Sequence, residues 1–186
     1  DMAGHRKPKS DGPNSEEKAL ELFAEMMIEK IESIRKDWRK PWFTEGALPW
    51  PRNLHGREYN GMNALMLLLH CEKQGYTIPR FCTFDCVRRL NTPGKDGQEL
   101  PRVSILRGEK SFPVMLTTFT CIHKETKEKI RYEDYKKLSE KEQELYNVFP
   151  KMQVFRVFNV AQTNLREARP ELWEKLEQEV TRPQIE

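Results

Sequence analysis

Phe112-Pro113-Val114-Met115-Leu116-Thr117-Thr118-Phe119-Thr120-Cys121-Ile122 is the stretch that decides the fold. It is rich in Thr, Val and Phe, side chains that pack well on a pleated surface, so it predicts a strand. Working outward, Val103 to Arg107 predicts a strand before it, and Lys129 to Tyr132 and Val154 to Val160 predict strands after it. Ser139-Glu140-Lys141-Glu142 lies between the last two and reads as a capping box opening a short charged helix.

The segments upstream follow a different period. Leu20, Phe23, Met27, Ile31, Ile34 and Trp38 recur in steps of three and four, predicting an amphipathic helix capped by Ser15 and ended by Pro41. Asn63 is a candidate cap for a second helix through Glu72. Its run Ala64-Leu65-Met66-Leu67-Leu68-Leu69 is apolar around most of its circumference, so it should be buried, and Gly75 stops it. Thr83 caps a short third helix, Phe84 to Leu90, and Pro170 suits the first position of a last one. Helices first and strands later predict an α+β fold, a mostly antiparallel sheet packed with several helices, including a long N-terminal one. The expected organisation is a flexible tail over 1–14, a single domain over 15–180 with a charged insertion at about 123–150, and a tail over 181–186.

The chain has 186 residues, 37% hydrophobic, 33% charged and 10% aromatic, enough for one domain with a real core. No apolar run is long enough to span a bilayer, and no signal-peptide core opens the chain. Cys71, Cys82, Cys86 and Cys121 are few and irregularly spaced, as expected of reduced thiols in a cytoplasmic protein. There is no Cys-x-x-Cys, His-Glu-x-x-His, Gly-x-Ser-x-Gly or phosphate-binding Gly-x-x-x-x-Gly-Lys-Ser/Thr loop. The expectation is therefore a binding domain rather than an enzyme, with no metal and no cofactor.

Net charge is only +3, but its placement is uneven. Ser15 to Ile34 carries two basic residues against six acidic; Arg35 to Arg57 carries six basic against two, and Arg80 to Lys110 seven against four. The basic regions also hold most of the aromatic clusters. Trp38-Arg39-Lys40-Pro41-Trp42 brackets cations with rings. Pro51-Arg52-Asn53 leads to Arg57-x-Tyr59-Asn60-Gly61-x-Asn63, and Arg80-Phe81-Cys82-Thr83-Phe84 approaches the third helix. Arg107-Gly108-Glu109-Lys110 reads as a turn presenting two cations, with Glu109 orienting them, and Phe158-Asn159-Val160-Ala161-Gln162-Thr163 ends a strand in amides. Two readings stay open at this level. Cations and flat rings suit single-stranded nucleic acid, since one replaces counterions and the other stacks bases. The same residues also serve as core, caps and solvated turns.

Taken in order, Trp38-x-Lys40-Pro41-Trp42, Pro51-Arg52-Asn53, Tyr59-Asn60-Gly61-x-Asn63, Phe81-x-Thr83-Phe84, Arg107-Gly108-Glu109-Lys110 and Phe158-Asn159-Val160-x-Gln162-Thr163 resemble one family. It is the N-terminal domain of ArdC-type antirestriction proteins, shared with plasmid TraC primases, and the resemblance covers about Ser15 to Leu165. It implies a single-stranded DNA-binding domain of plasmids and other mobile elements, preceding a zinc-dependent metallopeptidase-like domain. Phe81 stands where the family commonly has Trp, and the insertion from Ile122 to Pro150 looks particular to this branch. The metallopeptidase-like region is missing from the sequence, so the expectation is either a stand-alone binder or an excised N-terminal domain.

The expected mechanism is a basic groove following phosphates through Lys40, Arg52, Arg57, Arg80, Arg107 and Lys110. Trp42, Tyr59, Phe81 or Phe84 would stack bases, and the amides of Asn53, Asn63, Asn159 and Gln162 would fix the strand or hold loops. The expected partner is single-stranded DNA, with a downstream metallopeptidase-like domain or a restriction enzyme as further candidates. The rival readings are a protein-interaction module and the substrate-handling half of a larger primase- or metallopeptidase-linked protein.

Overall fold

The apolar run at Ala64–Leu69 forms the middle of a helix that sits inside the molecule. The computed structural model describes residues 14–37, 48–94 and 96–181. Lys40, Trp38, Trp42 and nearly all of both expected tails lie outside them. Within the described residues the long N-terminal helix is α1 (Ser15–Lys36), and the central one is α2 (Gly61–Gln74), ended by Gly75 at φ 74°. Strand β1 (Arg52–Asn53) precedes α2. Then come β2 (Arg80–Cys82), α3 (Phe84–Leu90), β3 (Phe112–His123), β4 (Lys129–Ile130), α4 (Tyr132–Lys136), α5 (Glu140–Gln143) and β5 (Tyr146–Asn159). A 3-10 turn at Val160–Gln162, then α6 (Leu165–Ala168) and α7 (Pro170–Thr181), complete the fold.

The sheet has the order β1-β2-β5-β3-β4. Only β1 and β2 are parallel; the other neighbours are antiparallel. The expected α+β class with a mostly antiparallel sheet and a long first helix agrees with this. Strands β3 and β5 form a long ribbon in continuous register from Phe112↔Val157 to His123↔Tyr146. Helices α1 and α2 cover only its first part. Phe112, Val114 and Val157 join Phe23 and Met26 of α1 and Met66, Leu67 and Leu69 of α2 in one core. A second core under α6 and α7 gathers Ile78, Val87, Val103, Phe158, Val160, Leu165 and Leu176. Beyond Met115 the ribbon leaves α1 and α2 behind and meets the short α4 through Phe119 and Tyr132, while Leu116, Phe119, Phe149, Met152 and Phe155 are exposed.

Several expectations need correction. Asn14, not Ser15, caps α1, its carboxamide accepting the Glu17 N–H at 2.8 Å. The buried stripe of α1 runs Ala19, Phe23, Met26 and Lys30, while Leu20, Ile28 and Ile31 face outward. Asn63 does not cap α2: it lies in the first turn, nearly buried, and Asn60 holds the cap position. Val103 to Arg107 is not a ladder strand, because side-chain amides take its backbone groups. Asn91 exchanges two hydrogen bonds with Val103 (2.7 and 2.8 Å), and Asn164 pairs with Ser104 and Arg102. Tyr132, expected to end a strand, begins α4.

Candidate nucleic-acid interface

The site is built around a turn that follows β1. The Asn53 N–H donates to the Arg57 carbonyl at 2.9 Å, and the Arg57 N–H donates back to Asn53 Oδ1 at 3.0 Å. Gly56 has φ 90°, a conformation that glycine adopts without steric cost. Arg52 closes the turn from behind, donating to the Gly56 carbonyl at 2.9 Å and to Glu58 at 2.6 Å. The guanidinium of Arg57 is left exposed, with no carboxylate partner among the described residues.

Chain geometry then carries this turn toward β3. Asn63 Nδ2 donates to the Met115 carbonyl at 2.7 Å, and the Met115 N–H donates to Asn63 Oδ1 at 2.8 Å. One amide thus does the work of a neighbouring strand on the open edge of β3. The arrangement pins the start of α2 to the ribbon and leaves a groove of about 730 Å³ beside it. Asn53, Arg57, Tyr59 and Asn63 line it from the turn and α2, and Thr83, Asp85, Cys86 and Arg89 from α3 and its cap. Leu116, Phe119 and Phe155 line it from the ribbon, and Tyr132, Glu133 and Lys136 from α4.

The groove is mixed in sign rather than uniformly basic. Arg57, Arg89 and Lys136 are accompanied by Glu58, Asp85 and Glu133. Pairing alters that balance: Glu58 is neutralised by Arg52, and Asp85 is shared between Arg88 and Arg89. Each of these two clusters therefore keeps a surplus positive charge. Tyr59 is half-buried and meets Phe81 edge-on with centroids 6.2 Å apart. Burial, helped by the neighbouring thiols Cys82 and Cys86, pushes its phenol up to about 12, so it stays neutral at physiological pH. Burial also pushes Cys82 up to about 12 and raises Cys86, the latter opposed by Arg89. Neither is a thiolate nucleophile. Among the described residues no group of three His, Cys, Asp or Glu could hold a metal ion, and no helix is long and apolar enough to cross a membrane.

The remaining candidates are placed elsewhere. Phe81 also borders the groove but has no accessible surface, so no base can stack on it in this conformation. Asn159 is fully buried, donating to the Ile78 carbonyl at 2.8 Å and accepting from the Ala161 N–H at 2.9 Å. Gln162 is buried too, donating to the Lys110 carbonyl at 2.7 Å and to Glu109 at 3.1 Å. Both amides hold loops rather than present themselves to a ligand, and Glu109 is engaged by Gln162. Arg80 is mostly buried, bonded to the Asn53 carbonyl and ion-paired with Glu179 of α7. Arg107 and Lys110 are exposed on their turn, and Phe84 is exposed against Phe158, but none of these three lines the groove. Sequence reasoning missed Arg89, Phe119, Tyr132, Lys136 and Phe155. For Phe119 and Phe155 the available signal was a ring within each of the segments 112–122 and 154–160, read there only as strand, and no local pattern marked Tyr132 or Lys136.

The family described as the N-terminal domain of anti-restriction factor ArdC matches residues 17–158. Among solved structures, the metal-free crystal structure of the antirestriction ArdC protein from R388 plasmid is 22% identical with a TM-score of 0.45, covering 77% of this chain and 41% of that one. The Mn(II)-bound structure of the same protein is 23% identical with a TM-score of 0.43, covering 77% and 40%. This chain thus spans about two fifths of the length of those solved proteins. No match was found among curated protein sequences. With the family matched over most of its length, and by the ordered motifs that first suggested it, the chain belongs to the family of ArdC N-terminal domains.

Proposed function

We propose that this domain binds single-stranded DNA in the groove between the Asn53–Tyr59 turn, the start of α3 and the β3–β5 ribbon, largely without regard to sequence. The observation that carries the reading is convergence: cations and half-exposed rings from segments far apart in the chain line one open groove. Arg57 and Arg89 are the phosphate contacts, and Tyr59, Phe119 and Phe155 offer ring faces or edges to unpaired bases. The groove's apolar floor disfavours duplex, whose bases are already stacked and whose surface is phosphate on both strands. In an antirestriction protein of a mobile element, such a domain would cover an incoming strand and shield it from restriction. Peptidase-like chemistry is not assigned to this chain.

Fluorescence anisotropy with matched single- and double-stranded oligonucleotides tests this. Single strands should bind tightly at low salt and weaken steeply as salt rises, with duplex much weaker. Arg57→Ala and Arg89→Ala should each reduce the salt slope by about 0.7, the share of one phosphate on a single strand. Equal affinity for duplex, or no binding at low salt, would end the proposal.

A further inference from the structure

We infer that α4, carried by the charged segment between β3 and β5, is the outer wall of the nucleic-acid groove, where Phe119 and Tyr132 form a base-stacking platform and Lys136 meets the adjoining phosphate. This rests on the single-stranded DNA reading and extends it to the charged insertion.

The argument starts from the ring geometry. Tyr132 stacks on Phe119 with centroids 4.4 Å apart and planes 28° from parallel. Both residues line the groove, Phe119 exposed and Tyr132 half-exposed. The platform is braced from behind: Tyr132 stacks on Tyr135 at 6.0 Å, and Tyr135 meets Tyr146 edge-on at 6.2 Å. Such bracing fixes the rings before a ligand arrives, which lowers the ordering cost of binding. Lys136 Nζ sits 5.1 Å from the Tyr132 ring centre. It has no carboxylate partner among the described residues and lines the groove. Hence a stacking face and a cation held over a ring rather than by a carboxylate lie one helical turn apart, the pairing that a nucleotide's base and phosphate require. Glu133 lines the same wall and opposes a phosphate there.

The test compares wild-type chain with Tyr132→Ala, Tyr132→Phe, Lys136→Ala and Glu133→Gln by anisotropy, using a fluorescein-labelled oligothymidylate across a salt series. Circular dichroism checks the fold of each. Tyr132→Ala should weaken binding about tenfold and Tyr132→Phe should leave it near wild type, since the ring and not the hydroxyl stacks. Lys136→Ala should flatten the salt slope by about 0.7, and Glu133→Gln should tighten binding. If Tyr132→Ala misfolds, Lys136→Ala and Glu133→Gln still decide. Tight binding by wild type with Lys136→Ala and Glu133→Gln unchanged overturns this inference alone. Absence of any wild-type binding at low salt overturns the DNA reading, and this inference with it.

Discussion

Asn63 shows how one side chain can close a sheet edge. Its amide offers the donor and acceptor that Met115 needs, across 52 positions of sequence. Removing it leaves a backbone N–H and carbonyl without partners at a nearly buried place, at about 1–3 kcal/mol for such loss. Asn63→Ala should therefore lower unfolding free energy by about 2 kcal/mol, read as a shifted urea midpoint at constant m-value. The sequence shows an Asn before an apolar run, for which capping is the local reading. What the amide grips depends on where β3 lies, and no local pattern encodes that. His70 gives a second case. Burial, and secondarily the Lys73 charge, lowers its pKa to about 4 from the usual 6.5, and its buried Nε2 has no hydrogen-bond partner among the described residues. The unfolded chain thus takes up this proton before the folded one. Stability from this group is complete above pH 6.5 and falls as pH drops toward 4. Denaturation midpoints at pH 7.5 and 5 should show that loss, and His70→Leu should remove part of it; an unchanged slope in the variant would refute the assignment.

At the scale of elements, legibility followed periodicity. The runs that form α2, α7 and β3 carry strong patterns, and each was placed to within a few residues. β1 and β2 are two and three residues long and exist because each other's backbone is there, so no pattern announces them. Strand β5 begins eight residues earlier than its apolar alternation indicates, because its first half is largely exposed and held by the β3 ladder, with Tyr146 against Tyr135 and His123 at its start. Arg80, which looks like a phosphate contact in sequence, ties β2 to α7 through Glu179. Glu179→Gln should then destabilise the domain by about 1–2 kcal/mol, between the values of exposed and buried pairs. Its oligonucleotide affinity should be unchanged once the protein is folded. A large gain of affinity in a fully folded Glu179→Gln variant, as the freed guanidinium meets phosphate, would return Arg80 to the binding surface.

At the scale of the whole molecule, the basic residues divide by what the fold has done with them. Arg52 and Arg80 are engaged with acids and carbonyls, Arg57 and Arg89 border the groove, the latter beside Asp85, and Arg107 and Lys110 stand on a separate exposed turn. Net charge cannot distinguish these groups, and neither can their spacing, because the difference lies in where folding places each cation and what it meets there. A salt titration can separate them. Counterion release counts only cations that meet phosphates, so each true contact contributes about 0.7 to the slope for a single strand. Arg57→Ala should lower the slope, while Arg107→Ala and Lys110→Ala should leave it where it is. If instead Arg107→Ala and Lys110→Ala each lower it by a full contact, the bound strand runs past the Arg107–Lys110 turn, and the path must be redrawn from the groove around the end of β3.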